Sequence, residues 1–463
     1  MVAIEYLLSP AALPLSQPNQ LSVLSYNVML PNSADGWWTY KMYDPLSFQD
    51  GADGIQSVQG WDRRRGMLRE RIGSIGADVV CLQEVSPKSF EEDFAFMRDE
   101  LGYDGHEMFK KGRFRPATFW KTSKLELLDK PKHGDRTLLT AFKKVEEGQG
   151  GGGGDDFHRN WHVLNCHLQA GPQGGRRVRQ IHDGVDGAFK LAKKLKENDP
   201  ANPLLVACGD FNGGSECGAV RYVEEGSIGP EFLEDGTSVT SKEKKMRLSS
   251  ALTDAASAPE LERGPAPATL VVKELISIMV EEGSGAYEEP RLSQDIRQRL
   301  SRIYARYATQ NRDGEMVMGR EDVERWLIAI NGQVGRGSEF RTAAKQMGWK
   351  EPPASESDSQ GGNGPKEKPR ITLPNEGILS LDGFLHVYEF ELRGGKFWGI
   401  NYDLGVLGEP LSNDGVFKAR YDRMYCSAAL QTKAVLDTVS NVPCPNEHEP
   451  SDHLPVGALF ECP

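Results

Sequence analysis

The 463-residue chain lacks several features that would assign it to a simple class of protein. Its seven cysteines are an odd number and none of them form a CxxC pair, which argues against a disulfide framework and a structural zinc site. The longest apolar run, TLVVKELISIMV, is too short to cross a membrane and contains Lys273 and Glu274. The N-terminal stretch has no basic region of the kind that begins a signal peptide. We therefore expect an intracellular, cytoplasmic protein with reduced thiols and no membrane span.

The chain also lacks an excess of positive charge, since its formal net charge is −12 at pH 7. Domains that attract nucleic acid by broad electrostatic attraction are usually basic over the surface that they use. Two local arginine clusters remain, at 63–71 and at 176–179. Long cationic side chains often cover exposed helix surface, so a solvated helix face is the simpler interpretation of both. Arg176 is retained as a candidate substrate-binding residue.

Six stretches of the chain have the apolar, β-branched and aromatic composition of strands with at least one buried face. They are 21–28, 77–85, 161–168, 204–212, 419–427 and 452–460. Helical periodicity separates several of them, as in WDRRRGMLRERIGSI and VRQIHDGVDGAFKLAKKL. This mixture predicts an α/β fold with layered sheets.

The character of the chain changes to helices between about 265 and 400. The stretch RLSQDIRQRLSRIYARYATQNRDGEMVMGREDVERWLIAING predicts two amphipathic helices around a polar loop, which is the layout of an EF-hand. Candidate Ca²⁺ ligands in that loop are Asn311, Asp313 and Glu315. Thr309 and Arg320 stand where an EF-hand carries carboxylates, and the second loop, TLPNEGILSLDGFLHVYEF, departs further from the pattern. We expect a helical scaffold formed by a degenerate EF-hand pair, with weak Ca²⁺ binding at the first loop as the alternative.

The predicted organisation interrupts one α/β domain with this helical segment. Its four parts are an N-terminal extension (1–19), the first part of the α/β domain (20–264), the helical insertion (265–399) and the second part of the α/β domain (400–463). Two further segments have the composition of flexible loops, the glycine-rich 148–156 and the Pro/Gly/Ser-rich linker 351–369.

Each of the six predicted strands carries strongly polar residues near one end. They are Asn27, Glu84, His167, Asp210 with Asn212, Asp422, and Asp452 with His453. A carboxylate in a buried strand is costly unless another group pairs with it, and one such residue alone is commonly structural. Six in the same pattern predict that the strand ends converge on one pocket. A divalent cation and a phosphate both require such a set of acids, amides and imidazoles.

Five motifs, in chain order SYNV, LQEV, NCHL, GDFNG and SDHLPV, resemble those of the endonuclease/exonuclease/phosphatase superfamily. The resemblance covers about 20–260 and 400–463. It implies the deoxyribonuclease-I-like four-layer α/β sandwich, two packed mixed sheets flanked by helices, and metal-assisted hydrolysis of a phosphate ester. VLSYNV and the stretch from Trp61 to Val85 look most like the deadenylase-related branch, and the helical insertion is similar to a calcium-binding subgroup near that branch.

The resemblance implies a metal side of the site. Glu84 is similar to the principal ligand of Mg²⁺ or Mn²⁺ in this superfamily, and Asn27 beside it positions metal or phosphate. Asp452 corresponds to a second carboxylate on the metal side. Magnesium suits carboxylate, amide and water oxygens, so these residue types agree with that role.

The resemblance also implies a water and phosphate side. Asp210 orients or deprotonates the attacking water, and Asn212 holds that water and a phosphate oxygen. His453 contacts the phosphate, and Asp422 fixes its imidazole and favours the charged form. His167 stands where the superfamily has a His or Tyr that touches the phosphate.

The substrate is left open by these residues. The resemblance favours a nuclease of the 3′-exoribonuclease or deadenylase type that acts on an RNA 3′ end. One alternative is a phosphomonoesterase acting on an inositol phosphate, a phosphoinositide or a small nucleotide, because RYDRMYCS resembles a motif of inositol polyphosphate 5-phosphatases. The other is a non-catalytic scaffold that binds a protein partner through the insertion. The aromatic residues Trp37, Trp38, Tyr40 and Tyr43 either stack on bases or pack their own loop.

Overall fold

The computed structural model describes residues 12–31, 36, 38–43, 61–108, 112–145, 160–240, 244–258, 261, 264–283, 290–311, 313–350, 370–412, 415–436 and 438–463. The chain forms two compact units. The first comprises Met1–Thr39, Gln56–Val272 and Val416–Pro463, and the second comprises Tyr40–Ile55 and Lys273–Gly415. The predicted loop at 148–156 and the predicted linker at 351–369 lie outside the described residues, as does Trp37.

The described residues form strands and helices with the following bounds. The strands are β1 (Gln20–Asn27), β2 (Val79–Val85), β3 (Gly105–Met108), β4 (Arg115–Trp120), β5 (Leu125–Leu127), β6 (Lys132–His133), β7 (Thr137–Lys144), β8 (Trp161–His167), β9 (Leu204–Asp210), β10 (Ser227–Ile228), β11 (Leu233–Glu234), β12 (Thr237–Ser238), β13 (Met246–Arg247), β14 (Thr253–Asp254), β15 (Leu270–Lys273), β16 (Thr309–Gln310), β17 (Met316–Val317), β18 (Val416–Ala419), β19 (Asp422–Cys426), β20 (Gln431–Val435) and β21 (Val456–Glu461). The α-helices are α1 (Trp61–Ile75), α2 (Phe90–Asp93), α3 (Ala95–Asp99), α4 (Gly174–Lys194), α5 (Gly218–Glu225), α6 (Ile276–Met279), α7 (Gln294–Tyr307), α8 (Arg320–Asn331), α9 (Gly337–Gln346), α10 (Leu381–Arg393) and α11 (Phe397–Val406), and short 3₁₀ helices span Thr39–Met42 and Ala255–Ser257.

Two large mixed sheets form the centre of the first unit, which confirms the predicted α/β class. The first has the order β20-β21-β1-β2-β4-β3, and the second has the order β14-β19-β9-β8-β7-β5 with β6 paired to β7. In each sheet one parallel pair, β1 with β2 or β8 with β9, is flanked by antiparallel strands. Parallel neighbours need a crossover connection, and α1 and α4 lie within the two crossovers.

The side chains of each sheet alternate between two apolar clusters, because successive strand residues point to opposite faces. Val23 of the first sheet belongs to the cluster that also contains Val163 and Val206 of the second sheet. Its neighbour Leu24 belongs to a different cluster, which contains Leu68 of α1. A third cluster joins the other face of the second sheet to α4 and α5. The first unit therefore has four layers, helix, sheet, sheet and helix.

A buried amide pair joins the two sheets. Gln83 Nε2 donates to Asn165 Oδ1 at 2.9 Å, and Asn165 Nδ2 donates to the carbonyls of Leu82 and Ala117 at 3.1 and 2.9 Å. Both amide side chains are completely buried. These hydrogen bonds between β2, β4 and β8 constrain the offset of the sheets beside the strand ends that carry Glu84 and His167.

Two predicted strands are shorter than the sequence indicated. The stretch 419–427 is divided, because Thr269 Oγ1 accepts hydrogen bonds from the N–H groups of Tyr421 and Asp422 and β19 begins only there. The stretch 452–460 begins as a loop, and β21 starts at Val456 after a proline that has no N–H to donate. Asp452 and His453 therefore precede their strand.

The second unit is helical. Its core contains an aromatic cluster in which the ring of Phe384 lies 5.0 Å from Trp326 and 5.4 Å from Tyr388. Tyr40 and Tyr43 are buried, and Tyr40 Oη donates to the carbonyl of Ile330 at 3.2 Å. These two tyrosines pack within the second unit, so neither is exposed for stacking on a base.

A buried lysine joins two acids inside this unit. Lys41 Nζ lies 3.0 Å from Glu339 Oε1 and 2.9 Å from Asp403 Oδ1, and all three side chains are nearly inaccessible to solvent. Burial raises the pKa of Asp403 to about 7, although the charge of Lys41 opposes the shift.

No helix in the described part of the chain is both long enough and apolar enough to span a bilayer.

Candidate active site

The ends of five strands in the first unit bring the predicted polar residues together. In the second sheet, His167 at the end of β8 and Asp422 at the start of β19 are both register partners of Asp210 at the end of β9. In the first sheet, Asn27 ends β1 and pairs in register with Gln83, the residue before Glu84. The predicted convergence of the strand ends is therefore present within one unit.

Asn27 connects the acids of the two sheets. Its Nδ2 donates to Asp210 Oδ2 at 3.0 Å and lies 3.5 Å from Glu84 Oε1, while its Oδ1 accepts from the N–H of Met29 at 3.0 Å. The contact with Met29 fixes the orientation of the amide, so that Asn27 presents donor atoms to the two carboxylates. A direct ligand role for its oxygen would require the amide to turn.

Glu84 is held by the backbone at one oxygen. Its Oε2 accepts from the N–H of Leu30 at 3.0 Å. Burial raises the pKa of Glu84, the charge of His167 lowers it, and the charge of Asp452 raises it again. A cation bound near Glu84 would favour its charged form and oppose this upward shift of the pKa.

His453 and Asp422 form a buried pair at 2.7 Å between Nδ1 and Oδ2. Burial opposes the charged imidazole, but the charges of Asp422, Asp452 and Asp210 together hold the pKa of His453 well above its ordinary value. The Nε2 atom lies 4.0 Å from Asp210 Oδ2. His453 is therefore a fixed cation whose second nitrogen faces the centre of the site.

Asp210 Oδ2 is the point on which the other groups converge. Besides Asn27 and His453, it has His167 Nε2 at 3.6 Å. His167 Nδ1 donates to the carbonyl of Phe114 at 2.8 Å, which leaves Nε2 directed into the site. The other oxygen, Oδ1, accepts from the N–H of Asn212 at 2.7 Å. Asp210 Oδ2 therefore accepts a hydrogen bond from Asn27 and has an imidazole nitrogen of each histidine within 4.0 Å.

A family model described as "Endonuclease/Exonuclease/phosphatase family" matches residues 52–453. The chain belongs to this family. Among curated proteins it is similar to the CCR4-Not complex 3′-5′-exoribonuclease subunit Ccr4 of Schizosaccharomyces pombe, 24% identical over 265 residues that cover 45% of this chain and 35% of that protein. The Ccr4 subunit of Candida glabrata is 30% identical over 231 residues, which cover 42% of this chain and 24% of that protein. The chain therefore matches about a third or less of the length of these curated relatives.

A solved structure has a similar fold. The crystal structure of ANGEL2, described as a 2′,3′-cyclic phosphatase in complex with adenosine-2′,3′-vanadate, matches with a TM-score of 0.51 and 15% identity over 96% of both chains. This likeness concerns the fold. The family match confirms the superfamily that the five motifs predict.

The endonuclease/exonuclease/phosphatase site of this chain is a place of backbone strain. Among the described residues, seven non-glycine residues have positive φ, and five of these belong to the site or contact it: Met29, Glu84, Phe114, Arg136 and Asn212. Such conformations are costly and persist where surrounding structure enforces them, commonly at functional sites. Gly209 has φ +139, and a Cβ there would lie 1.8 Å from the carbonyl oxygen of Cys166. The motif GDFNG therefore requires glycine before Asp210.

Arg176 pairs with Asp135, which is not one of the predicted site residues. Its guanidinium forms two hydrogen bonds with Asp135, at 3.0 and 3.1 Å, on an exposed part of the first unit.

The candidate Ca²⁺ ligands belong to the second unit, where Asn311 Oδ1 accepts from the N–H groups of Asp313 and Glu315 in an exposed turn. Counted from Asn311, the twelfth residue is Asp322 rather than Arg320, and its carboxylate accepts from the N–H of Gly319 at 3.0 Å. Calcium binding there stays a prediction.

Two residues that support the site were not expected. Arg64 is completely buried rather than part of a solvated helix face, and it donates to the carbonyls of Val28 and Met29 at 2.5 Å and of Pro450 at 2.9 Å. Thr269 Oγ1 accepts a hydrogen bond from the N–H of Asp422 at 2.9 Å, and the carbonyl of Thr269 accepts one from the N–H of Leu454 at 2.6 Å. Arg64 ties the segment after Asn27 to the segment before Asp452, and Thr269 links the two members of the acid–imidazole pair.

Two groups of side chains have the chemistry of a metal site. Among the described residues, ligand atoms of Asp210, Asp422 and His453 all lie within 4.8 Å of one another. Because Asp422 and His453 are hydrogen-bonded to each other, these two residues form a charged pair with Asp210 beside it. A cation bound by the three would compete with the imidazolium of His453. Glu84 and Asp452 instead offer oxygen atoms, which suit Mg²⁺ or Mn²⁺. The donor set on that side therefore fits a hard divalent ion.

Proposed function

We propose that the chain is a divalent-metal-dependent phosphodiesterase that removes nucleotides from the 3′ end of RNA. The observation that carries the proposal is Asp210 Oδ2, an acceptor on which Asn27, His167 and His453 converge from both sheets. The similarity to fungal proteins described as 3′-5′-exoribonucleases makes RNA the preferred substrate in this proposal over other phosphate esters. Membership of the endonuclease/exonuclease/phosphatase family agrees with this chemistry.

Glu84 and Asp452 would hold the metal ion, Mg²⁺ or Mn²⁺, with water completing its coordination. When bound, such an ion neutralises charge on the phosphate and favours deprotonation of bound water. The carboxylate oxygens of these two acids support the assignment, because Mg²⁺ and Mn²⁺ prefer oxygen ligands. Asn27 positions the acids on both sides through its Nδ2.

The remaining residues act on water and phosphate. Asp210 accepts a proton from the attacking water, while Asn27 Nδ2 and the N–H of Asn212 hold its carboxylate in place. The water oxygen bonds to the phosphorus, the bond from phosphorus to the 3′ oxygen of the preceding nucleotide breaks, and that oxygen takes a proton from solvent. His453 donates from Nε2 to a phosphate oxygen and stabilises the negative charge that develops in the transition state. Asp422 keeps that imidazole charged and oriented. His167 presents Nε2 to the same phosphate.

The phosphomonoesterase alternative rests on the resemblance of RYDRMYCS to another branch of the superfamily. Arg423 of that stretch is buried, with its guanidinium 3.9 Å from Glu224. Since this charge already has an acidic neighbour, it adds no support for an inositol phosphate substrate. RNA therefore remains the preferred substrate class.

Three further expectations remain proposals. A protein partner would bind the second unit, whose exposed apolar side chains include Ile328, Ile378 and Phe390. The intracellular, cytoplasmic location is still supported by the buried, free thiols of all seven cysteines. Weak Ca²⁺ binding at the turn from Asn311 to Glu315 remains the alternative to a purely structural role.

The experiment that tests the proposed function identifies the product. The purified protein with Mg²⁺ is given an oligoadenylate, and in parallel a panel of nucleoside monophosphates and inositol phosphates. We expect AMP from the oligoadenylate, resolved by chromatography, and no inorganic phosphate from the panel. Asp210→Ala should abolish AMP release while leaving the urea unfolding midpoint close to that of wild type. Phosphate release from the panel, with the oligoadenylate intact, would replace this proposal by the phosphomonoesterase.

A further inference from the structure

An arginine that the sequence did not single out lies beside the candidate active site. Arg136 precedes β7, and its carbonyl accepts a hydrogen bond from the N–H of His167 at 3.0 Å. The next residue, Thr137, is the register partner of Cys166, so Arg136 lies opposite His167. Its side chain is half-buried, although arginine has a long, strongly polar head. The backbone of Arg136 therefore lies at the edge of the site.

The guanidinium of Arg136 has no partner in the described part of the chain. None of the ion pairs or side-chain hydrogen bonds among those residues includes it. The nearest acid in sequence, Asp135, is already occupied by Arg176 and by Gln180, whose Nε2 donates to it at 2.8 Å. A half-buried cation without a partner is unfavourable on its own, which is the usual condition of a group that binds an anionic ligand.

Other cations surround this position. Arg115 begins β4 and is the register partner of Val85, next to Glu84. Burial lowers the pKa of Arg136, the charges of Arg115 and Arg176 lower it further, and the charges of Asp135 and Glu84 oppose them. The backbone of Arg136 lies opposite His167, whose Nε2 is 3.9 Å from Glu84 Oε1. Arg136 therefore has two other guanidinium groups near it, and that of Arg176 forms an ion pair with Asp135.

The backbone at Arg136 is strained. Its φ of +60 lies in the left-handed region, which arginine rarely adopts. Phe114, whose carbonyl holds His167, also has positive φ at +56. The two strained residues thus hold the N–H and the Nδ1 of the same histidine. This arrangement fixes the backbone of Arg136 relative to His167 and directs the following strand into its register.

We propose that Arg136 binds the phosphate adjacent to the scissile one, so that the site prefers substrates with at least two successive phosphodiesters. The planar guanidinium matches phosphate with paired hydrogen bonds, and a partly buried site strengthens the interaction. The inference rests on the proposed function and narrows its substrate class from RNA 3′ ends in general to chains with at least two successive phosphodiesters.

The test compares two substrates that differ by one phosphate. ApA has a single phosphodiester, and ApApA has two. For Arg136→Gln, which removes the charge and shortens the side chain but keeps a polar amide, we expect kcat/KM on ApApA to fall about tenfold or more, as for loss of a charge-assisted hydrogen bond. The value on ApA should change less than about twofold, and Arg136→Lys should recover part of the loss. Arg179→Gln, an exposed arginine of α4, is the matched control and should leave both values unchanged.

Two other results would overturn the inference. One is an equal effect of Arg136→Gln on both substrates, which would indicate a general structural role. The other is a selective loss in Arg176→Gln with none in Arg136→Gln, which would move the contact to Arg176. A wild-type protein that cleaves neither substrate contradicts the proposed function instead. Fluorescence anisotropy of a labelled oligoadenylate then decides the inference, which predicts about tenfold weaker binding by Arg136→Gln and fails if the affinities are equal.

Discussion

Replacing Asp422 by asparagine tests the acid–imidazole pair directly. The short contact of 2.7 Å joins Asp422 Oδ2 to His453 Nδ1, and both side chains are buried. A hydrogen bond to a charged group contributes about 1.5–3 kcal/mol. If His453 meets the phosphate charge mainly in the transition state, losing that support lowers kcat about 10- to 150-fold, since about 1.4 kcal/mol corresponds to a factor of ten.

The assay is a single-turnover time course on a labelled oligoadenylate with saturating Mg²⁺. Substrate affinity, measured separately by anisotropy, should change much less than the rate. The fold should survive, because Asp422→Asn removes one of two neighbouring buried acids. Burial raises the pKa of Asp422, the charge of His453 lowers it, and the charge of Asp210 raises it. A folded variant whose rate stays within about threefold of wild type would refute this role.

Three further predictions concern the framework and the second unit. Asn165→Leu should lower the free energy of unfolding by about 2–3 kcal/mol in urea titrations, because the buried Gln83 loses one of its acceptors and the carbonyls of Leu82 and Ala117 lose a donor; an unchanged midpoint contradicts this. Burial raises the pKa of Asp78, but the charge of Lys144 and hydrogen bonds from Lys124 and others bring it below its ordinary value. Its stabilisation is therefore complete above about pH 4 and lost as pH falls through the lowered pKa, and Asp78→Asn should remove this acid-dependent part; an identical pH profile would be the contrary result. Calorimetric titration of Ca²⁺ into the full chain should show no tight site, and a saturable heat that Asp313→Ala abolishes would overturn the scaffold interpretation.

The strand ends were predictable because two independent signals coincide there. Near-continuous apolar runs indicate buried strands, and a carboxylate or imidazole directly after such a run is too costly to be accidental. Asp210 and His167 illustrate this, since each ends a fully buried strand of the second sheet. Asp452 and His453 were correctly placed near the others, although they precede β21 rather than begin it.

The burial of Arg64 was not predicted, although the residue spacing in α1 indicates it. Its buried side chains Trp61, Arg64, Leu68 and Ile72 follow the three- and four-residue spacing of one helix face. An arginine on that face is either a packing error or the partner of buried carbonyl groups. Reading the run of arginines as one cluster concealed this distinction, which becomes clear only when each arginine is assigned to a face.

Thr269 and Arg136 could not be assigned from local patterns. Thr269 is distant in sequence from both Asp422 and Leu454, and its two contacts depend on how the chain returns to the sandwich after the helical segment. Arg136 precedes a strand that carries no polar motif, and its position becomes informative only through the register of β7 with β8. Both contacts are long-range, so neither composition nor periodicity predicts them.

The most direct test of the central claim is a gel time course of a 5′-labelled RNA that ends in a poly(A) tail. Wild type with Mg²⁺ should produce a ladder of successively shorter products. The ladder should be absent with a chelator and in His453→Ala, a variant checked for folding by its unfolding midpoint. An RNA that stays intact with wild type, or a ladder that persists in folded His453→Ala, would contradict the account.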